Sequence, residues 1–156
     1  MKITEFLSKD AITTDLKGTK KEEVLRELVD LLISSKEIEK KDRERVVESL
    51  LARESLGSTA IGQGIAIPHT KCDCVKKLVA SIGLSKNGVD FDSLDGEPVH
   101  IFLLLLAPID SAGPHLKALA RISRALKDKY FRENLKQAKD KATVLSIIQQ
   151  EDEKKI

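Results

Sequence analysis

Aromatic side chains are nearly missing from this sequence: there is no tryptophan, one tyrosine and four phenylalanines. Stacking on nucleic-acid bases has little to work with, so a nucleic-acid partner is not expected. Neither sign of charge dominates, because 27 basic residues face 25 acidic ones for a formal net charge of +2. No polyanion-binding surface is implied. No apolar run approaches the ~20 residues of a membrane span, and the start, Met1-Lys2-Ile3-Thr4-Glu5-Phe6-Leu7, lacks the apolar stretch of a signal peptide. The expectation is a cytoplasmic chain that is not inserted in a membrane. Cysteine is limited to Cys72 and Cys74, a poor framework for structural disulfides and in keeping with a reducing compartment. Asparagine is limited to Asn87 and Asn134, while charged residues make up 33% of the chain, a tilt toward Lys and Glu that heat-adapted proteins show. Internal repeats, low-complexity tracts and linkers are lacking too. Residues 1–156 therefore read as a single domain, large enough to bury about two-thirds of its unfolded surface.

What is present is periodic. Thr19-Lys20-Lys21-Glu22 matches a capping box, and Val24, Leu28, Leu31 and Leu32 then recur on one face of a helix running to about Ser35. A second helix is expected from near Asp42, burying Val46, Val47, Leu50 and Leu51, with Gly57 as its C-terminal punctuation and Arg53 and Glu54 in its last turn. Ile65 to Ile67 reads as a short strand, and Leu78 to Leu84 as another. Lys86-Asn87-Gly88 predicts a hairpin or tight reversal before Val89. Val99 to Ala107 is apolar on both faces, which suits a central strand covered on either side. Pro114 can begin a helix with Leu116, Leu119, Ser123 and Leu126 inward. Helices near Tyr130 to Ala138 and Thr143 to Gln150, the latter capped by Asp140, and a charged tail complete the chain. The fold class expected is α/β, a three-layer domain with a mixed parallel/antiparallel sheet flanked by helices.

Chemistry concentrates around Gly62-Gln63-Gly64-Ile65-Ala66-Ile67-Pro68-His69-Thr70. Proline has no backbone N–H and pushes the residue before it to an extended conformation, so the ladder is expected to stop there and expose His69 at a strand end. Imidazole titrates near about 6.5, so its neutral form offers a nitrogen lone pair to a phosphoryl group or a metal. His115 falls in the first turn of its helix, where free N–H groups and the dipole favour an anion and lower a histidine's pKa. Its plainer reading is a polar residue in a solvated turn. His100, within the central strand, reads as a satisfied core or edge histidine. Arg53 could bind two phosphate oxygens at once, and it stands ahead of the small-residue segment Gly57 to Gly62. Gly57 and Gly62 have Walker-like spacing, but Gln63 stands where a P-loop needs lysine. His69, Cys72 and Cys74 could be three zinc ligands without an obvious fourth; the cysteines could equally be mildly activated thiols beside Lys71, Lys76 and Lys77, or ordinary ones.

The run Arg53-Glu54-Ser55-Leu56-Gly57-Ser58-Thr59-Ala60-Ile61-Gly62-Gln63-Gly64-Ile65-Ala66-Ile67-Pro68-His69 resembles the IIA component of the bacterial phosphoenolpyruvate-dependent sugar phosphotransferase system, in its fructose, mannitol and nitrogen-regulatory branch. The resemblance extends through Phe91-Asp92-Ser93-Leu94-Asp95-Gly96-Glu97-Pro98-Val99 and His115-Leu116-Lys117-Ala118-Leu119-Ala120-Arg121-Ile122-Ser123. It implies that His69 takes a phosphoryl group from the phosphohistidine of the carrier HPr and passes it to a cysteine of a IIB component of a membrane permease. Arg53 and His115 match the family's supporting arginine and second histidine, and no cofactor, metal or nucleotide is implied. A regulatory role, in which the phosphorylation state of the same histidine controls partner binding, is the alternative. HPr-like, IIB-like and membrane segments are missing from the sequence, so the expectation is a subunit working in trans. Pro114 before His115 and the Cys72-Asp73-Cys74 segment depart from the family pattern.

Overall fold

In the computed structural model, which describes residues 1–154, the residues of Val99–Pro108 bury alternately to two sides. Ile101, Leu103 and Leu105 enter one core, and Phe102, Leu104 and Leu106 enter the other. Such a strand must lie inside a sheet with helices on both faces. The strands are β1 (Leu7–Thr13), β2 (Ala60–Gly62), β3 (Ile65–Ala66), β4 (His69–Cys72), β5 (Val79–Val89) and β6 (Val99–Pro108). The helices are α1 (Lys21–Ser34), α2 (Arg43–Ser55), α3 (Ala112–Lys127), α4 (Lys129–Gln137) and α5 (Lys141–Asp152). The sheet order is β1-β5-β6-β3-β2, with β4 also on β6. β5–β6 and β2–β3 are antiparallel; β1–β5, β3–β6 and β4–β6 are parallel. Val24, Leu28, Val46 and Leu50 of α1 and α2 fill the core on one face, and Ile122, Phe131, Val144 and Ile148 of α3, α4 and α5 fill the other. This is the expected three-layer mixed sheet. No helix among the described residues is long and apolar enough to cross a membrane.

Four local expectations shift. The first helix starts at Lys21, so its third residue is Glu23, and that carboxylate, in place of Glu22, accepts from the free N–H groups of Thr19 (2.9 Å) and Lys20 (3.2 Å). No hairpin forms at Asn87-Gly88. Gly88 takes a positive φ of 83° and its N–H donates to Ser85 Oγ at 3.1 Å, which absorbs the extra residues as an irregularity within β5. Pairing then resumes at Val89 opposite Val99, and the reversal falls in residues 90–98. The inward stripe of α3 is His115, Ala118, Ile122, Ala125 and Leu126, while Leu116 stays exposed. Ala118 and Ala125 take two of these inward positions, in the phase that also carries His115 inward. The fourth shift, at Pro68, belongs to the site below. The Asp140 cap forms as expected, its carboxylate accepting from Thr143 N at 2.7 Å. Of the charged tail, Glu151 and Asp152 end α5, and residues 155–156 lie outside the described residues.

Candidate functional site

β2 and β3 form a hairpin whose two turn residues, Gln63 (φ 60°) and Gly64 (φ 76°), both sit in the left-handed region that tight two-residue turns require. Asp95 clamps this turn: Oδ2 accepts from Gln63 N (3.0 Å), and Oδ1 accepts from Glu97 N (3.0 Å) and Ser93 Oγ (2.8 Å). The N–H groups of Glu97 and Gln63 hold the Asp95 carboxyl below its ordinary range. The Phe91 to Val99 segment thus fixes the hairpin that precedes His69.

β3 ends before Pro68, as expected, but the pairing with β6 does not. Its carbonyl accepts from Leu105 N at 2.9 Å, and His69 pairs with Leu105 as the first residue of β4, parallel to β6. His69 is therefore half-buried at a strand start and held in register on both sides of the break. Its Nδ1 lies 2.8 Å from the Ile67 carbonyl oxygen. A carbonyl can only accept, so Nδ1 carries the proton and Nε2 keeps the lone pair.

His115 faces this ring, with centroids 5.5 Å apart and planes inclined at 57°. Contrary to the solvated-turn reading, its residue is 6% exposed. Nor does it offer a free backbone N–H, since that group donates to Ser111 O at 3.2 Å; Pro114 removes a further donor from the first turn. Burial, then the charges of His69 and Lys71, push the His115 pKa down. Burial thus takes the part that the sequence reading assigned to the helix dipole. His115 Nδ1 is buried without a hydrogen-bond partner.

Arg53 comes from another element. It lies in the last turn of α2, the helix packed on β4, and its Nη1 donates to Gly57 O at 2.8 Å. Among the described residues its guanidinium makes no other hydrogen bond or ion pair. The loop beside it is fixed by a residue to which the sequence reading gave no role, Glu54. That buried carboxylate accepts from Thr59 N (3.1 Å) and Thr59 Oγ1, with Lys21 Nζ at 3.6 Å. Lys21 also reaches Asp92 (3.1 Å) and lies 4.8 Å above the Phe91 ring. An acidic residue inside the buried stripe of α2, at Val46, Val47, Leu50 and Glu54, was the signal that could have found it. Nearby, Ser49 Oγ and Thr70 Oγ1 join α2 to β4 at 2.6 Å.

His100 is the satisfied histidine expected, its Nδ1 donating to Ser85 O at 2.9 Å. The cysteines correct two readings. Cys72 and Cys74 are joined by a disulfide, so they are neither free thiols nor, in this state, a pair of zinc thiolates. Their Cα atoms are 5.4 Å apart, within the span a disulfide bridges, so a separation of two residues was no bar.

The structure is thus an α/β domain with a mixed sheet that holds one imidazole by its Nδ1 against a second, buried imidazole. Residues 5–151 match the family described as phosphoenolpyruvate-dependent sugar phosphotransferase system, EIIA 2, and the chain belongs to that family. It is 40% identical over 152 residues to the PTS system fructose-specific EIIABC component of Bacillus subtilis, covering 97% of this chain but 24% of that relative's length. It is 38% identical to a nitrogen regulatory protein of Bradyrhizobium diazoefficiens over 95% of both chains. The crystal structure of the nitrogen regulatory protein IIA-Ntr from Neisseria meningitidis matches with a TM-score of 0.83 at 33% identity, covering 94% of this chain and 98% of that one.

Proposed function

We propose that residues 1–156 act as one phosphotransfer unit in which His69 Nε2 accepts a phosphoryl group from phospho-HPr and passes it to a cysteine of a IIB component. The observation that carries this is the hydrogen bond from His69 Nδ1 to Ile67 O, which leaves Nε2 as the nucleophile. In each transfer the bond from phosphorus to the donor atom breaks as the bond to the acceptor atom forms, with the two in line. The charge spread over the phosphoryl oxygens then needs donors already in place. His115 supplies one. Its buried, unpartnered Nδ1 is the better place for the lone pair, because an orphaned N–H is the costlier state, so the proton sits on Nε2 and can be donated. Arg53 supplies the fixed positive charge, with the N–H groups that Gly57 O does not use.

Incubation with phosphoenolpyruvate, enzyme I and HPr tests the reading. We expect one phosphoryl group, stable to alkali and labile to acid, that is lost in His69→Gln. Persistence of the label in that variant at the same stoichiometry would overturn the assignment.

The match to the Bradyrhizobium nitrogen regulatory protein over 95% of both chains supports a second reading, a regulator whose partners distinguish the two states of His69. Passage of the phosphoryl group to a IIB component favours transport. Selective binding of a non-transport protein by one phosphoform favours regulation.

A further inference from the structure

The Cys72–Cys74 disulfide has no part in the phosphoryl-transfer reading. It joins the last residue of β4 to the loop that follows, so it ties together no elements that the backbone does not already connect. A cross-link stabilises a fold chiefly by restricting the unfolded chain, and the effect shrinks with the loop it closes. A ring of Cys72, Asp73 and Cys74 is close to the least a disulfide can contribute, so stapling does not account for it.

The surroundings suit exchange instead. Both cysteines are half-buried, and Cys74 borders two cavities, of about 680 and 230 Å³, whereas Cys72 borders the second. Cys72 is also held in the β4–β6 ladder opposite Pro108, while Cys74 lies beyond it. Lys76 and Lys77 line the larger cavity and Lys71 the smaller, and none of the three makes an ion pair among the described residues. Asp73 lies between the sulfurs, but Arg45 Nη1 donates to it at 2.9 Å, and Arg45 Nη2 donates to Asp42 at 2.5 Å. Glu37 and Glu39 also enter the larger cavity, accompanied in sequence by Lys36 and Lys41. Lysines lining the same cavities as the sulfurs favour a thiolate there, and a thiolate so favoured is a good leaving group.

We propose that Cys72–Cys74 is a reversible redox centre, opened and closed by thiol–disulfide exchange with a dithiol, and that Cys74 is the sulfur attacked. A thiolate of the dithiol bonds to Cys74 Sγ as the Cys72–Cys74 bond breaks and Cys72 leaves as a thiolate. The dithiol's second thiolate then displaces Cys74 and closes its own cyclic disulfide. Two electrons pass to the protein, and the two cysteine thiolates take up the two protons the dithiol released.

The whole chain, equilibrated in mixtures of oxidised and reduced dithiothreitol, is quenched with a maleimide and weighed by mass spectrometry. We expect a transition from no maleimide to two as the mixture becomes reducing, with an unchanged far-ultraviolet circular dichroism spectrum. Two maleimides at every mixture, or none at any, would overturn the redox centre. Exposed to glutathione disulfide, Cys72→Ser should form its mixed disulfide several-fold faster than Cys74→Ser; equal or reversed rates would overturn the choice of Cys74. None of these readouts involves His69, so they stand apart from the test of phosphoryl transfer.

Discussion

One buried, unpartnered atom of His115 bears on both the proposed chemistry and the pH response of the fold. If its Nε2–H donates to the phosphoryl group, His115→Ala should leave His69 phosphorylatable and slow onward transfer by the equivalent of about 1.5–3 kcal/mol, the worth of a hydrogen bond to a charged group. Rapid-quench measurement of both transfer steps checks this; wild-type rates in both would remove His115 from the reaction. The lowered pKa also has a consequence for stability. Unfolded, this histidine titrates near about 6.5, and folded it titrates lower, so between the two values the unfolded chain binds more protons. Stability is therefore lost as pH falls through that window and is unaffected above it. Urea denaturation at about pH 7.5 and about pH 5 should show a larger acid loss for wild type than for His115→Gln, in which this titration is absent.

At the scale of elements, the Asp95 clamp predicts that a change 26 residues along the chain reaches His69 through the hairpin before it. Asp95→Ala should speed amide hydrogen exchange at Gln63 and Glu97 and slow phosphorylation of His69, without moving the label. Exchange as slow as in wild type would show that the turn holds itself. Element scale is also where the sequence was most and least readable. The stripes of α1 and α2 and the two-sided β6 were legible because burial of Val, Ile and Leu leaves a period in the residue string. The phase of α3 was not, because small Ala118 and Ala125 take inward positions while bulky Leu116 points outward. Asn87-Gly88 misled since a positive φ serves an irregular strand as well as a turn. His69 and Arg53 were readable as residue types in a motif. The facing of His69 by His115 was not, because only the tertiary fold brings β4 and the start of α3 together.

Across the whole molecule, the two ends of the described chain meet in a buried ion pair. Arg121 Nη2 of α3 lies 3.3 Å from Asp152 Oδ1 at the end of α5, and the Asp152 carboxylate also accepts from Ile3 N (2.7 Å) and Thr4 N (2.9 Å). Removing one partner strands the other charge in the interior, so Asp152→Ala should cost about 3–5 kcal/mol in urea unfolding. A loss near zero would show that water takes the place of the carboxylate. The pairing pattern of the sheet has a kinetic side as well. Ile65 pairs with Ile101 and His69 with Leu105, each across 36 residues, while Leu7 pairs with Ala80 across 73. Contacts this distant along the chain close slowly, after the local helices, because the entropy of the intervening loops opposes them first. The register that fixes His69 is thus among the late events of folding. A chain still emerging or only partly collapsed holds the His69 imidazole without its neighbour on α3, so under the function proposed above phosphorylation of His69 doubles as a report that folding has finished.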